Sequence, residues 1–229
     1  MGARIGMIAP QALGIRRISH VVNTGVEDPE HYYFHIGGPL VMHMDPVDVV
    51  GLLCIRRACS GGESRVVSSM AVHNCILETR PDLLEILYQG FYNHRRRATR
   101  EGGAPVTDYR CPLFARLADA ELICSYIPSS IERAVALGNV RLNDKEREAL
   151  ACLNEVAQSP DLFIDMDLQP GNVQLLNNRV TLHARTDYTD WPEMERRRRL
   201  LRVWMTLPGW PKYPPTIVHI DAETGAGAA

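Results

Sequence analysis

His43-Met44-Asp45 is the sharpest chemical feature in the first half of the chain. If the segment is extended, side chains at i and i+2 point to one face, so an imidazole and a carboxylate converge. A second histidine, His183, lies far downstream in the run Thr181-Leu-His-Ala-Arg-Thr186, which reads as a hairpin strand. Two histidines and one carboxylate on one face of a metal leave the opposite face open. That is the facial triad of non-heme Fe(II) oxygenases. Spacing alone leaves the matter open: His-x-Asp arises easily by chance, and a polar pair beside a turn ending at Pro46 is the simpler explanation.

Something must hold these residues, and the hydropathy pattern says what. Val47–Ile55 is nearly continuously apolar and rich in β-branched residues, as expected of a buried strand, and Ser64–Ser68 reads as another after the Gly61-Gly62 turn. Ser68 or Ser69 is placed to cap a helix through Ala71, Ile76 and Leu77. Pro81 breaks it before Leu83–Tyr88. Asn143 and Glu146 have capping-box spacing, and Leu150, Leu153 and Val156 then share one helical face. Strands return at Leu162–Leu168, Val173–Leu176, Val180–His183 and Leu200–Leu207, with Gln169-Pro-Gly-Asn172 and Asn177-Asn178 as turns. Strands, a helical insert, then strands again predict a mainly β chain: an antiparallel barrel or jelly roll interrupted by helices.

Composition narrows the class. With 229 residues, 45% hydrophobic and 23% charged, the chain has material for one substantial core. A formal charge of −2 lacks the basic excess usual in nucleic-acid binders, and no run approaches the ~18 apolar residues of a membrane span. The six cysteines contain no CxxC pair, and no secretion signal is visible, so they read as reduced thiols in a cytoplasmic setting.

Three stretches, HMDPVDVVGLLCIRRACSGGES, LQPGNVQLLNNRVTLHARTDY and RRRRLLRVWM, resemble in their order the taurine dioxygenase-like family of Fe(II)/2-oxoglutarate-dependent oxygenases. The HART stretch is also similar to clavaminate synthase-like members. The resemblance runs from roughly Met1 to Pro211. It implies a cupin-like double-stranded β-helix with a helical insert between the halves of the metal site. It makes His43, Asp45 and His183 the iron ligands. Ser64 would lie near one carboxylate of 2-oxoglutarate, Arg198 would grip the distal carboxylate, and Arg202, four residues on, would face the cofactor or an anionic substrate. Arginine suits both roles because its planar fork can donate two hydrogen bonds to a carboxylate. Halogenating relatives replace the carboxylate at position 45 with a small residue; its presence here favours oxygenation.

Arg196 and Arg197 read as solvated charges, whereas Arg202, between Leu201 and Val203, needs a partner if buried. Arg185, two residues after His183, is expected in a structural ion pair. Arg95-Arg-Arg97 with Arg100 reads as a helix end or insert, Tyr32, Tyr33 and Phe34 as core, and His35 as the remaining histidine to test for substrate contact.

The expected organisation is one oxygenase domain over 1–229, N-terminally short for its family, with a largely helical insert at 69–158 and a flexible tail at 221–229. A barrel short of covering strands would expose apolar surface, so a homodimer and a wet, partly uncoupled site are expected. The expected partners are a small, carboxylate-bearing substrate and O2, with neither nucleic acid nor membrane. The alternatives are a non-catalytic scaffold that kept the jelly roll, or a cupin-like isomerase or hydrolase needing no 2-oxoglutarate.

Overall fold

The computed structural model describes residues 5–11, 17–25, 37–95, 102–117, 121–138, 140–220 and 227–228. In chain order its strands are β1 (Met7–Ile8), β2 (Ile18–Val21), β3 (Leu40–His43), β4 (Val49–Arg56), β5 (Ser60–Gly61), β6 (Ser64–Ser68), β7 (Phe114–Arg116), β8 (Leu122–Cys124), β9 (Phe163–Met166), β10 (Val173–Asn177), β11 (Thr181–Arg185), β12 (Tyr188–Thr189), β13 (Arg199–Thr206), β14 (His219–Ile220) and β15 (Gly227–Ala228). Four helices accompany them among the described residues: α1 (Ser69–Thr79), α2 (Pro81–Gln89), α3 (Pro128–Ala136) and α4 (Asp144–Ala157).

Two antiparallel sheets carry the architecture. One has the order β1-β13-β4-β10, with β2 also on β13; the other runs β3-β11-β6-β9. Because side chains alternate across a strand, each sheet offers one face inward. Val50, Leu176 and Trp204 of the first sheet meet Val66 and Met166 of the second in one apolar cluster. The opposite face of the second sheet gives Met42, Val67 and Leu182 to a larger core shared with the helices, through Val72, Ile76, Leu83, Leu87, Ala149 and Leu153. This is the jelly-roll, α+β arrangement expected from the sequence.

The local signals explain the helices. Ser68 accepts from the Ala71 backbone N–H, α1 ends at Arg80, and Pro81 occupies the first turn of α2, where a missing N–H costs nothing. Asn143 and Glu146 exchange both bonds of a capping box. The insert differs from expectation in its middle. Between α2 and α3 lies a strand pair, β7 with β8, and isolated bridges join Phe91 to Cys111 and His94 to Val106. The apolar run at Val47 also begins its strand two residues late, because the turn takes the backbone there: the Val47 N–H donates to the Asp45 carbonyl, and the Val47 and Asp48 carbonyls accept from Asn178. Of the expected flexible tail, Gly227–Ala228 pair with His219–Ile220; the rest lies outside the described residues.

Candidate metal centre

Strand pairing brings the two halves of the triad together. On β11, His183 stands directly opposite His43 of β3, with a register shift just beyond it. The two imidazole centroids are 4.4 Å apart. Asp45 follows two residues after His43, and one donor atom from each of His43, Asp45 and His183 falls within 4.8 Å of the other two. His183 Nε2 lies 3.8 Å from Asp45 Oδ2, too far for a hydrogen bond but suited to sharing an ion.

The protonation states fit a cation. His43 Nδ1 lies 2.8 Å from the Val41 carbonyl, which fixes Nδ1 as the donor and leaves Nε2 with its lone pair. Burial, reinforced by neighbouring His43 and Arg202 against the pull of Asp45, pushes His183 down to about 3, so its ring stays neutral. Burial alone would raise Asp45, but Arg202, the two imidazoles and the Trp204 N–H outweigh it and hold the carboxyl below its usual range. A carboxylate and two imidazoles form a donor set suited to Fe(II).

Asp45 is held on several sides. Trp204 Nε1 donates to Oδ2 at 2.9 Å, and Arg202 Nη1 reaches Oδ1 at 3.5 Å. Arg202 Nε donates to Gln11 Oε1 at 2.9 Å, and Gln11 returns a bond to the Arg202 carbonyl. The turn itself is pinned by Asn178, whose amide donates to the Asp45 and Val47 carbonyls. Trp204, Gln11 and Asn178 have no motif spacing to His43, so the sequence gives no direct sign of them; an apolar run interrupted by a lone polar or indole group is the only trace.

The two arginines take different places. Arg202 stands at Asp45, whereas Arg198 is buried in a small cleft with Cys54, Gly61, Gly62, Asp167, Leu168 and Leu200. Among the described residues its guanidinium makes one hydrogen bond, from Nη2 to the Gly62 carbonyl at 3.2 Å. Burial holds it below the usual arginine range. Gly62 has φ +81, and a Cβ there would stand 3.0 Å from Arg198 Nε, so the Gly61-Gly62 turn is what admits the side chain. Ser64 is not among the cleft walls; its hydroxyl exchanges hydrogen bonds with Gln174 across the two sheets at 3.0–3.1 Å. Arg185, expected in an ion pair, donates from Nε and Nη2 to the Gly38 carbonyl and lies over the Tyr188 ring. His35, Tyr32, Tyr33, Phe34, Arg96, Arg97 and Arg100 lie outside the described residues.

Known proteins are similar to this chain. The FR-33289 synthase of Streptomyces rubellomurinus is 30% identical over 181 residues, covering 78% of this chain and 52% of that protein. The chain thus spans about half the length of the synthase. Two solved structures show the same fold. Asparagine oxygenase, in complex with Fe(II), 3-hydroxyasparagine and succinate, has a TM-score of 0.65 at 19% identity, covering 88% of this chain and 60% of its own. The non-heme iron oxygenase OrfP, in complex with iron and alpha-ketoglutaric acid, has a TM-score of 0.60 at 14% identity, covering 90% and 62%. Residues 3–204 match the family model described as taurine catabolism dioxygenase TauD, TfdA family, and the chain belongs to that family.

Proposed function

We propose that this chain is an Fe(II)/2-oxoglutarate-dependent dioxygenase acting on a small, carboxylate-bearing molecule. The observation that carries the reading is the meeting of His43, Asp45 and His183 donors within 4.8 Å. In the cleft at the Gly61-Gly62 turn lies a buried arginine, Arg198, with one hydrogen bond among the described residues. His43, Asp45 and His183 would hold the iron, and Arg198 the distal carboxylate of 2-oxoglutarate. The Ser64–Gln174 pair presents a hydroxyl and an amide on the inner face for the cofactor's other polar atoms. Bound iron and 2-oxoglutarate would supply the oxidising power, coupling O2 to oxidation of a substrate C–H bond with succinate and CO2 as co-products. Hydroxylation, desaturation and ring closure share that start. The protein's own residues bind, orient and exclude water. Arg202, beside Asp45, places a cation where an anionic substrate group would meet it. His35 is proposed as a further substrate contact.

The relatives support the cofactor pair, since asparagine oxygenase is solved with Fe(II) and succinate and OrfP with iron and alpha-ketoglutaric acid. The scaffold alternative is not favoured, because the complete donor set is assembled. Succinate release from 2-oxoglutarate with Fe(II) and ascorbate tests the reading. It should appear with the wild-type protein and vanish in His183→Ala. Equal release by both, or none by the wild type across a panel of carboxylate substrates, would overturn it.

We further propose a homodimer and a cytoplasmic setting. The outward face of the first sheet exposes Ile18, Ile55, Val173 and Leu175, and contiguous apolar faces mark association sites. All six cysteines are free, as suits a reducing compartment. No helix among the described residues is long and apolar enough to cross a membrane. The single oxygenase domain over 1–229 is likewise a proposal.

A further inference from the structure

We infer that Trp204 is a positioning residue for the metal carboxylate: its indole N–H fixes the orientation of Asp45 in which the three donors converge. The inference rests on the metal-site reading above and adds a residue to it. The bond from Trp204 Nε1 to Asp45 Oδ2 is 2.9 Å, against 3.5 Å from Arg202 to Oδ1, so the indole supplies the one short side-chain bond that Asp45 receives among the described residues. Strand register fixes the donor's place. Trp204 pairs with Val50 across β13 and β4 and points inward, and its ring packs with Ala9, Val47, Val66 and Leu176. The Arg202 guanidinium closes over the ring, 4.6 Å from its centroid. A side chain so enclosed has little rotational freedom, and its donor stays where the carboxylate needs it.

The choice of group also matters chemically. An indole N–H donates only, at every pH, and offers no lone pair to the metal. A histidine in its place would compete as a ligand, and a lysine would neutralise the charge that the cation requires. The neutral Trp204 donor leaves the carboxylate negative while removing its freedom to rotate. Outer partners of this kind typically contribute ~10–100-fold in metal affinity.

The test uses Mn(II) as the probe, with no turnover involved. Free Mn(II) is counted by electron paramagnetic resonance during titration of wild-type, Trp204→Phe and Trp191→Phe proteins at a temperature where all are folded. Phenylalanine keeps much of the ring's bulk and removes the N–H. The expected result is a dissociation constant raised ~10–100-fold in Trp204→Phe and unchanged in Trp191→Phe, whose indole lies under Arg196. Trp204→Phe binding within twofold of wild type would overturn the inference. If the wild type itself failed to bind Mn(II), the metal site and not Trp204 would be at fault. Should Trp204→Phe not fold, the wild type still decides. Its three tryptophans give three indole N–H resonances, assigned with Trp191→Phe and Trp210→Phe. Saturation with diamagnetic Zn(II) should shift the Trp204 resonance and slow its hydrogen exchange. A Trp204 signal that stays in place while Zn(II) binds would overturn the inference.

Discussion

Two buried carboxylates sit on one turn, Asp45 and Asp48, and the fold treats them differently. Asp48 is saturated: Arg179 donates to it at 2.8–2.9 Å, the Leu207 backbone N–H at 2.8 Å, and His219 stands 3.6 Å away. Asp45 has a single short side-chain donor, one long contact to Arg202, and two imidazoles turned toward it without hydrogen bonding to it. The saturated group ties the 207–219 segment and the β10–β11 hairpin to the β3–β4 turn. The under-served group keeps coordination in reserve. Both are buried but unequally satisfied, the contrast expected between a structural carboxylate and the proposed metal ligand.

Substitution should split the pair most widely in stability. Asp48→Ala strands the almost fully buried Arg179, and breaking such a pair costs ~3–5 kcal/mol. Asp45→Asn should cost no more than about 1 kcal/mol, since Arg202 keeps its Gln11 partner. Denaturant unfolding of the two variants, without metal, gives the comparison. The order would have to be reversed for the distinction to fail.

Metal binding should invert that ranking. His183→Ala removes a donor and Asp45→Asn the one negative charge of a three-residue cage, and each should abolish measurable Mn(II) binding. Asp48→Asn, where it folds, should bind Mn(II) within a few-fold of wild type.

The next contrast concerns the arginines. Arg198→Ala should raise the 2-oxoglutarate concentration needed for half-maximal succinate release by about tenfold or more, the equivalent of a charge-assisted hydrogen bond worth ~1.5–3 kcal/mol. Arg196→Ala should change it little, because that side chain is half exposed and pairs with Glu193 on the surface. Equal effects would move the cofactor's anchor to Arg202.

The smallest effect is in acid. Burial opposes the charge on Asp48, but His219, the Leu207 N–H and Arg179 outweigh it, so its folded pKa lies below the unfolded value. The unfolded chain therefore binds the extra proton. The stabilisation is full above about pH 4 and is lost as pH falls through the lower folded value. Stability measured from pH 5 to 2 should fall less steeply in Asp48→Asn than in wild type.

Much of the site could be read from the sequence because it is local or strongly patterned. His43-x-Asp45 needs only an extended strand, Ser64–Ser68 became a strand with those bounds, and the Asn143–Glu146 box formed as written. Arg202 betrayed its need for a partner by lying in an apolar run, but the partners, Gln11 and Asp45, are 191 and 157 positions away. Trp204 lay within the expected strand Leu200–Leu207, with nothing in the sequence to show that its N–H reaches Asp45. Asn177-Asn178 read as a turn, with nothing to show that Asn178 reaches back to the Asp45 carbonyl. Polar partners across two sheets leave no period in the sequence, so packing alone reveals them. The same holds for β7 and β8, three residues each and flanked by irregular chain.

The most direct test of the central claim is calorimetric titration of 2-oxoglutarate into the protein, with and without Mn(II). The expected result is binding that requires the metal in wild type, is lost in His183→Ala, and is weakened about tenfold or more in Arg198→Ala. Equal binding of 2-oxoglutarate without metal, or undiminished binding by the metal-treated His183→Ala protein, would contradict a metal-and-arginine site for the cofactor.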